Sequence, residues 1–445
     1  MADILVYPWP LASHAMATLK IAKTLRSAGH TVVYVSIGVE TAIVRDNGFV
    51  QEVILADEAP GGMRFSNRSQ RQTERFFREN LPRIVNRLER AFDGMVAKYK
   101  FELALVDRNH VFSALPLYGR GVKPVMIWAT LPADRRPGIP PLTSAILPTR
   151  TVLGRLRVNL EWVLTSANAW KSIRAMGLSP IVKDLARRND FPRERLTRGP
   201  LGWELQIPEV VACAECFDVS PAAHPMRHYL GPCIDFERRE PDFDWALLTP
   251  GRKLAYCALG TSGHVYPGAL AFLGRVVEAL RGLEGWDVVL AAGDFYQDVA
   301  ETIARASVPH IVVVRDAPQL ALLKRADVML THGGLGSIKE CVHFGVPMVV
   351  FPGFSDQLGN GARVAHHQLG AVGDLGRSSA ADIRALVTQV TSSPAIRANL
   401  TRMQQAFAAS DQDEAIRALV DQLLDSRSPS APASLRAWLS APTGA

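Results

Sequence analysis

Thr331 to Asn360, THGGLGSIKECVHFGVPMVVFPGFSDQLGN, leaves a chain few ways to fold. The preceding ADVMLT is a short apolar run that stops at a glycine-rich turn, Ser337 to Phe344 has helical spacing, and VPMVVFP reads as a second strand. Strand, turn, helix and strand in that order form the repeating unit of a doubly wound sheet. Gly333, Gly334 and Gly336 let the backbone pass close to a bulky anion, and the helix that follows offers unpaired N–H groups and a positive dipole end to a diphosphate. His332 and Ser337 supply further donors at the same place.

The same alternation occurs twice along the chain. The first half opens with the strand ILVYPWP, a helix from about His14 to Ala28, a Gly29-His30 turn and the strand TVVYVSI; FELALVD (Phe101 to Asp107) and PVMIWAT follow as buried strands. Asp134 to Arg188 is mostly helical, with proline-rich loops and the large apolar side chains Trp162 and Trp170. Ser220 to Pro250 is rich in Pro, His and charge and has little periodicity, so it reads as a linker. The second half restarts at KLAYCALGT and runs through WDVVLAAG, IVVVRDAPQ and ADVMLTHGG, then ends in an amphipathic helix from about Asn399 to Leu424 and a Ser/Pro/Ala-rich tail. The boundaries predicted are 1–225 for an N-terminal domain, 226–250 for the linker, 251–425 for a C-terminal domain and 426–445 for a tail that could dock back on the first domain through ASLRAWLSA.

A length of 445 residues suits two domains of about 200 residues, each with its own core. A hydrophobic fraction of 48% with 21% charged residues is that of a globular chain, and no run of about 18 apolar residues occurs. MADILVYPWP lacks the basic start and cleavage site of a signal peptide, so the expectation is a cytoplasmic protein without stable membrane insertion. The formal charge of +7 is dispersed along helices such as Arg64 to Arg90 with no aromatic interleaving, which speaks against nucleic acid and for attraction of anionic ligands. Cys213 and Cys216 spell CxxC within EVVACAECFDV, which reads as an apolar strand, but have no second pair, and Asp242 with Asp244 lies in the linker, so no metal site is expected.

A base is available at the first strand-to-helix turn. His14 follows YPWPLAS at the mouth of the N-terminal sheet, and histidine can accept a hydroxyl proton near neutral pH. Asp107 ends its own strand and can reach the same rim, where a carboxylate would hold the tautomer and stabilise an imidazolium.

The 331–360 segment resembles the nucleotide-sugar signature of family 1 glycosyltransferases, the UDP-glycosyltransferase superfamily, which runs HxGxxSxxE and then GVPxxxxPxxxDQxxN. It matches at His332, Gly334, Ser337, Glu340, Gly345, Val346, Pro347, Pro352, Asp356, Gln357 and Asn360. PxxxHxxxxLxIAxxLxxxGHxV, carried by Pro10, His14, Leu19, Ala22, Leu25, Gly29, His30 and Val32, is similar to the segment that supplies the family's base, and Asp107 lies where members have the partner aspartate. The resemblance implies an α/β protein of GT-B fold, two Rossmann-like doubly wound parallel-sheet domains facing each other across a cleft. It implies an inverting, metal-independent transfer of a sugar, glucose by preference, from a UDP- or TDP-sugar to a hydroxyl of a small hydrophobic natural product, with no cofactor.

By the same resemblance Thr261, His332, Gly334, Gly336 and Ser337 meet the diphosphate, Pro318 and Gln319 stand in the base-binding segment, Glu340 binds ribose hydroxyls, and Asp356 with Gln357 binds the sugar. Trp9, Trp128 and Trp162 are candidates for the acceptor pocket. Two departures stand out: Asp316-Ala317-Pro318-Gln319 replaces a Trp-Ala-Pro-Gln of plant members, and Leu335 and Gly336 replace their Trp and Asn. The pattern is closer to bacterial members that decorate polyketides, macrolides and carotenoids. A lipid, carotenoid or sterol transferase, a nucleotide-sugar 2-epimerase and a non-catalytic helper of the same fold are the alternatives; the sequence gives no oligomeric state.

Overall fold

The computed structural model describes residues 1–37, 40–55, 70–219, 221, 224–261, 263, 266–306, 308, 310–410, 412–425 and 438. In the first half β1 (Asp3–Tyr7), α1 (Ala12–Ser27), β2 (Thr31–Ser36), α2 (Glu40–Asp46), β3 (Val50–Val53), α3 (Gln70–Lys98), β4 (Phe101–Asp107), α4 (Val111–Gly119) and β5 (Lys123–Trp128) alternate. They are followed by α5 (Val152–Ala175), α6 (Leu178–Arg188), the hairpin β6 (Leu196–Gly199) and β7 (Gly202–Leu205), β8 (Glu209–Val211) and β9 (Arg227–Tyr229). Seven of these strands form a parallel sheet in the order β3-β2-β1-β4-β5-β8-β9. β1 and β4 are central and buried on both faces, as their unbroken apolar runs require.

The second half contains β10 (Lys253–Ala258), α7 (Ala269–Leu280), β11 (Trp286–Ala291), α8 (Tyr296–Ala306), β12 (Ile311–Val314), α9 (Gln319–Leu323), β13 (Val328–Thr331), α10 (Leu335–Phe344), β14 (Met348–Val350), α11 (Asp356–His366) and β15 (Gly370–Val372). Its six strands are parallel in the order β12-β11-β10-β13-β14-β15. Strand order reverses beside β10 and beside β1, so each sheet has a switch point at which strand ends splay and leave a crevice.

Three stretches sit otherwise than the sequence boundaries place them. The single helix expected from Asn399 to Leu424 is two, α12 (Ala380–Ser392) being followed by α13 (Pro394–Ala408) and α14 (Gln412–Leu424). α14 then leaves the second domain: Ile416, Leu419, Val420 and Leu423 join the core of the first sheet, and Asp413 accepts hydrogen bonds from Lys20 and Thr24 of α1. Trp438 is buried in that same core, stacked on Tyr118 with centroids 5.5 Å apart, while the rest of ASLRAWLSA lies outside the described residues. Finally, β9 pairs with β8 although it falls in the expected linker, and the CxxC segment is a loop rather than a strand, with Cys213, Ala214 and Phe217 packed into the second core.

A charged joint connects the halves. Asp218, in the loop after β8, accepts hydrogen bonds from Arg136 of the first half, from Arg363 of α11 and from the Tyr229 hydroxyl. All three charges are buried, a costly arrangement that holds only because the carboxylate is fully engaged. Lys339 Nζ donates to the Ala212 carbonyl at 2.6 Å, and the Gly359 amide to the Leu142 carbonyl at 2.7 Å.

Candidate functional site

The carboxyl end of β1 and the first turn of α1 present His14, and the carboxyl end of β4 presents Asp107. The structure brings them together: His14 Nδ1 lies 2.6 Å from Asp107 Oδ2, while Oδ1 accepts from the Asn109 amide at 2.9 Å. With Nδ1–H donated to the carboxylate, Nε2 keeps its lone pair for a substrate proton. Burial alone would lower the imidazole pKa, but the charge and hydrogen bond of Asp107, with a further pull from Asp356, outweigh it and leave His14 above its usual value. Burial pushes Asp107 the other way, yet His14 and the Asn109 amide hold the carboxyl below its ordinary range.

One residue of this rim escaped the sequence reading. His110, three residues past Asp107, is buried with Tyr7 stacked on it at 4.1 Å and Trp9 tilted against it at 4.8 Å. Burial drives its pKa down to about 4, so it is neutral beside the charged pair. A lone histidine among apolar residues carries no sequence signal for such a position. Trp9 and Trp128 are half-buried at the strand ends, Trp128 with the guanidinium of Arg108 over its ring at 5.3 Å. Trp162 is sealed instead, its indole donating to the Ile139 carbonyl at 2.8 Å, where it braces the 136–150 loop beneath α5.

Across the cleft, β13 leads through the glycine turn into α10, whose first turn no side chain caps. Gly333 has φ +87, and a Cβ at Gly260 or Gly334 would lie 2.4 or 2.5 Å from the His332 imidazole, so these glycines make room for that ring. Gly336 has open space around it, which leaves the helix start accessible to a ligand. Burial lowers His332 to about 4, opposed only by a hydrogen bond to the Ala258 backbone, so its imidazole is neutral. Ser337 is half-buried on the same first turn, and Thr261 is exposed in the turn after β10.

Glu340, one turn further along α10, is already engaged. Arg238 of the linker pairs with both of its oxygens, and the Gln319 amide donates to Oε2 at 2.6 Å. Glu240 bonds Arg238 and also accepts the Leu320 and Ala321 amides at the start of α9, behind Pro318 at its cap. Arg238 and Glu240 were missed because a charged linker reads as solvated surface. Gln357 is similarly occupied: its carbonyl accepts from the Gly353 and Phe354 amides and its NH2 donates to the Tyr266 hydroxyl at 2.8 Å.

Asp356 opens α11 directly after Ser355, whose φ of 59 is a strained value for a serine. Asn360 holds its carboxylate at 2.9 Å and ties it to the Gly333 carbonyl at 3.0 Å. Burial raises the Asp356 carboxyl, partly offset by Asn360 and His14. Asp356 is therefore close enough to the His14–Asp107 pair for their charges to interact. Among the described residues no cluster of His, Cys, Asp or Glu could hold a metal ion.

Residues 295–422 match the family model of the erythromycin biosynthesis protein CIII-like C-terminal domain. The uncharacterized UDP-glucosyltransferase YdhE of Bacillus subtilis (strain 168) is 27% identical over 44% of this chain and 48% of its own length, so the chain spans about half of that relative. The zeaxanthin glucosyltransferase of Pantoea ananas is 23% identical over 93% of this chain and 94% of its own. The crystal structure of the glycosyltransferase of kitacinnamycin superposes with a TM-score of 0.70 at 20% identity, covering 95% of this chain and 98% of that one. The chain has the GT-B fold, and these matches bear out its resemblance to family 1 glycosyltransferases of bacterial natural-product type.

Proposed function

We propose that the protein is an inverting glycosyltransferase that moves a sugar from a UDP- or TDP-sugar to a hydroxyl of a small hydrophobic natural product, in the cytoplasm and without a metal. The observation that carries this reading is the 2.6 Å contact between His14 Nδ1 and Asp107 at the rim that faces Asp356. In the step proposed, His14 Nε2 takes the acceptor's hydroxyl proton as its oxygen bonds to the anomeric carbon. The bond from that carbon to the diphosphate breaks on the opposite face, and the nucleotide leaves with the electron pair. The start of α10, with His332 and Ser337, meets the departing charge by preorganised donors. Asp107 holds the imidazolium that forms.

Asp356 is the group best placed for the sugar's hydroxyls, with Gln357 shaping the loop beside it. Glucose remains the preferred sugar because a carboxylate at this place favours a donor that keeps its hydroxyls. Trp9 and Trp128 offer the acceptor an aromatic wall. The match to a glucosyltransferase of a carotenoid across nearly the whole chain supports a hydrophobic acceptor. The test is a thermal-shift titration with UDP and TDP followed by turnover of the matching donor-sugar by wild type and His14→Ala. Selective stabilisation by one nucleotide and loss of turnover in the variant are expected; full turnover in the variant would remove the base assignment.

A further inference from the structure

α5 is apolar on two faces. Val158, Trp162 and Ile173 point into the protein, while Val152, Leu153, Leu156, Leu160, Val163 and Leu164 are between 53% and 80% exposed. At 100° per residue these six fall within one third of the helix circumference, so they form a continuous stripe on the side opposite Trp162. A surface helix ordinarily turns charge outward. A stripe of large aliphatic side chains facing water marks a docking surface.

Cations frame it. Arg150, Arg155 and Arg157 are exposed at the N-terminal end of the helix and Lys171 and Arg174 at the other, whereas Glu161 is the helix's lone acid. No acidic residue occupies the first turn, so the arginines stand at the positive end of the helix dipole, where anions belong. We propose that this face of α5 rests on an anionic lipid surface, its leucines among the acyl chains and its cations among the headgroups. A second copy of this chain fits the face poorly. A two-fold pairing of α5 through the middle of the stripe, near Val158, brings Arg155 and Arg157 level with the lone Glu161 and leaves Arg150, Lys171 and Arg174 with no acid of α5 to meet.

The position of the stripe gives the contact a use. Beneath α5 the indole of Trp162 holds the 136–150 loop, and that loop's Leu142 carbonyl accepts the Gly359 amide of α11, the helix that begins with Asp356. The lipid-facing helix is thus one layer from a loop that touches the donor half, on the half expected to bind the acceptor. No described helix is long and apolar enough to cross a membrane, so the contact is a surface one.

The test is co-sedimentation of the full chain with phosphatidylglycerol/phosphatidylcholine vesicles and with phosphatidylcholine vesicles, at low and high salt. Binding to the anionic vesicles should exceed binding to neutral ones about tenfold and fall as salt rises. Leu153→Gln/Leu156→Gln/Leu160→Gln should lose that binding with its melting temperature unchanged, because all three side chains are already in water; Arg150→Glu/Arg157→Glu should lose the preference for anionic lipid. No vesicle binding by the wild-type chain, or equal binding by the leucine variant, overturns the proposal. A wild-type dimer that the leucine variant dissolves, without vesicle binding, assigns the stripe to a second copy instead.

Discussion

His14 and His332 each lie beyond the carboxyl end of a central parallel strand, β1 and β13, yet their environments drive them apart. Asp107 at 2.6 Å overrides burial and raises His14, whereas burial with no carboxylate takes His332 down to about 4. Two rims built on the same strand-to-helix plan thereby acquire opposite chemistry: one can accept a proton and keep the charge, the other stays neutral. The difference lies in acidic neighbours, Asp107 foremost, rather than in the fold.

Removing that neighbour, or His14 itself, should break the contrast most. His14→Ala should cost about 10²–10⁴ in turnover while keeping the nucleotide-induced thermal shift. Asp107→Asn should cost turnover on the same order and leave burial as the main influence on His14. Wild-type kcat/KM should therefore climb with pH through a limb above the ordinary histidine range, and in Asp107→Asn that limb should move to lower pH. A limb that stays in place would detach Asp107 from the base.

Stability should divide the histidines by sign. His110 and His332 titrate near 4 when folded and near 6.5 when unfolded, so between those values the unfolded chain binds the extra proton. Acidification across that window should destabilise the fold, by up to roughly 3 kcal/mol for the fully buried His110. His14 runs oppositely: its raised value contributes stability that is present below about 6.5 and lost as pH rises through the folded pKa. Melting curves of His110→Gln and His14→Gln against pH read the two slopes; parallel profiles would erase the distinction. Gly260→Ala, whose Cβ would meet the His332 ring at 2.4 Å in a backbone of φ +72, should cost about 1–3 kcal/mol in a denaturant melt. The smallest effect expected is that of His332→Ala, about tenfold in nucleotide affinity by calorimetry, for the loss of one hydrogen bond to a charged group.

Much of the framework was legible because parallel strands buried on both faces read as unbroken apolar runs: β1, β4 and β13 lie where ILVYPWP, FELALVD and ADVMLT placed them. The signature helix begins two residues earlier than its spacing suggested, at Leu335, and this puts Ser337 inside its first turn. Side-chain direction was less accessible. Trp162 could line a pocket or fill a core at the same helical spacing, and only the packing of α5 decides that it points inward. Arg238 and Glu240 were invisible because their partners lie some eighty to one hundred residues away in sequence. The break between α13 and α14 was hidden because amphipathic spacing continues across it, and only tertiary packing sends α14 to the first domain.

That last crossing bears on how the chain is made. The first half can complete its sheet once β9 has been synthesised, but the hydrophobic surface that Ile416, Leu419 and Val420 will cover on it stays uncovered until α14 follows the whole second half. The whole second half is thus an insertion between two parts of one core. A nascent chain held on the ribosome before residue 412 would carry a sticky, unfinished domain, and loss of α14 would injure the half that holds His14 rather than the half to which the helix is joined.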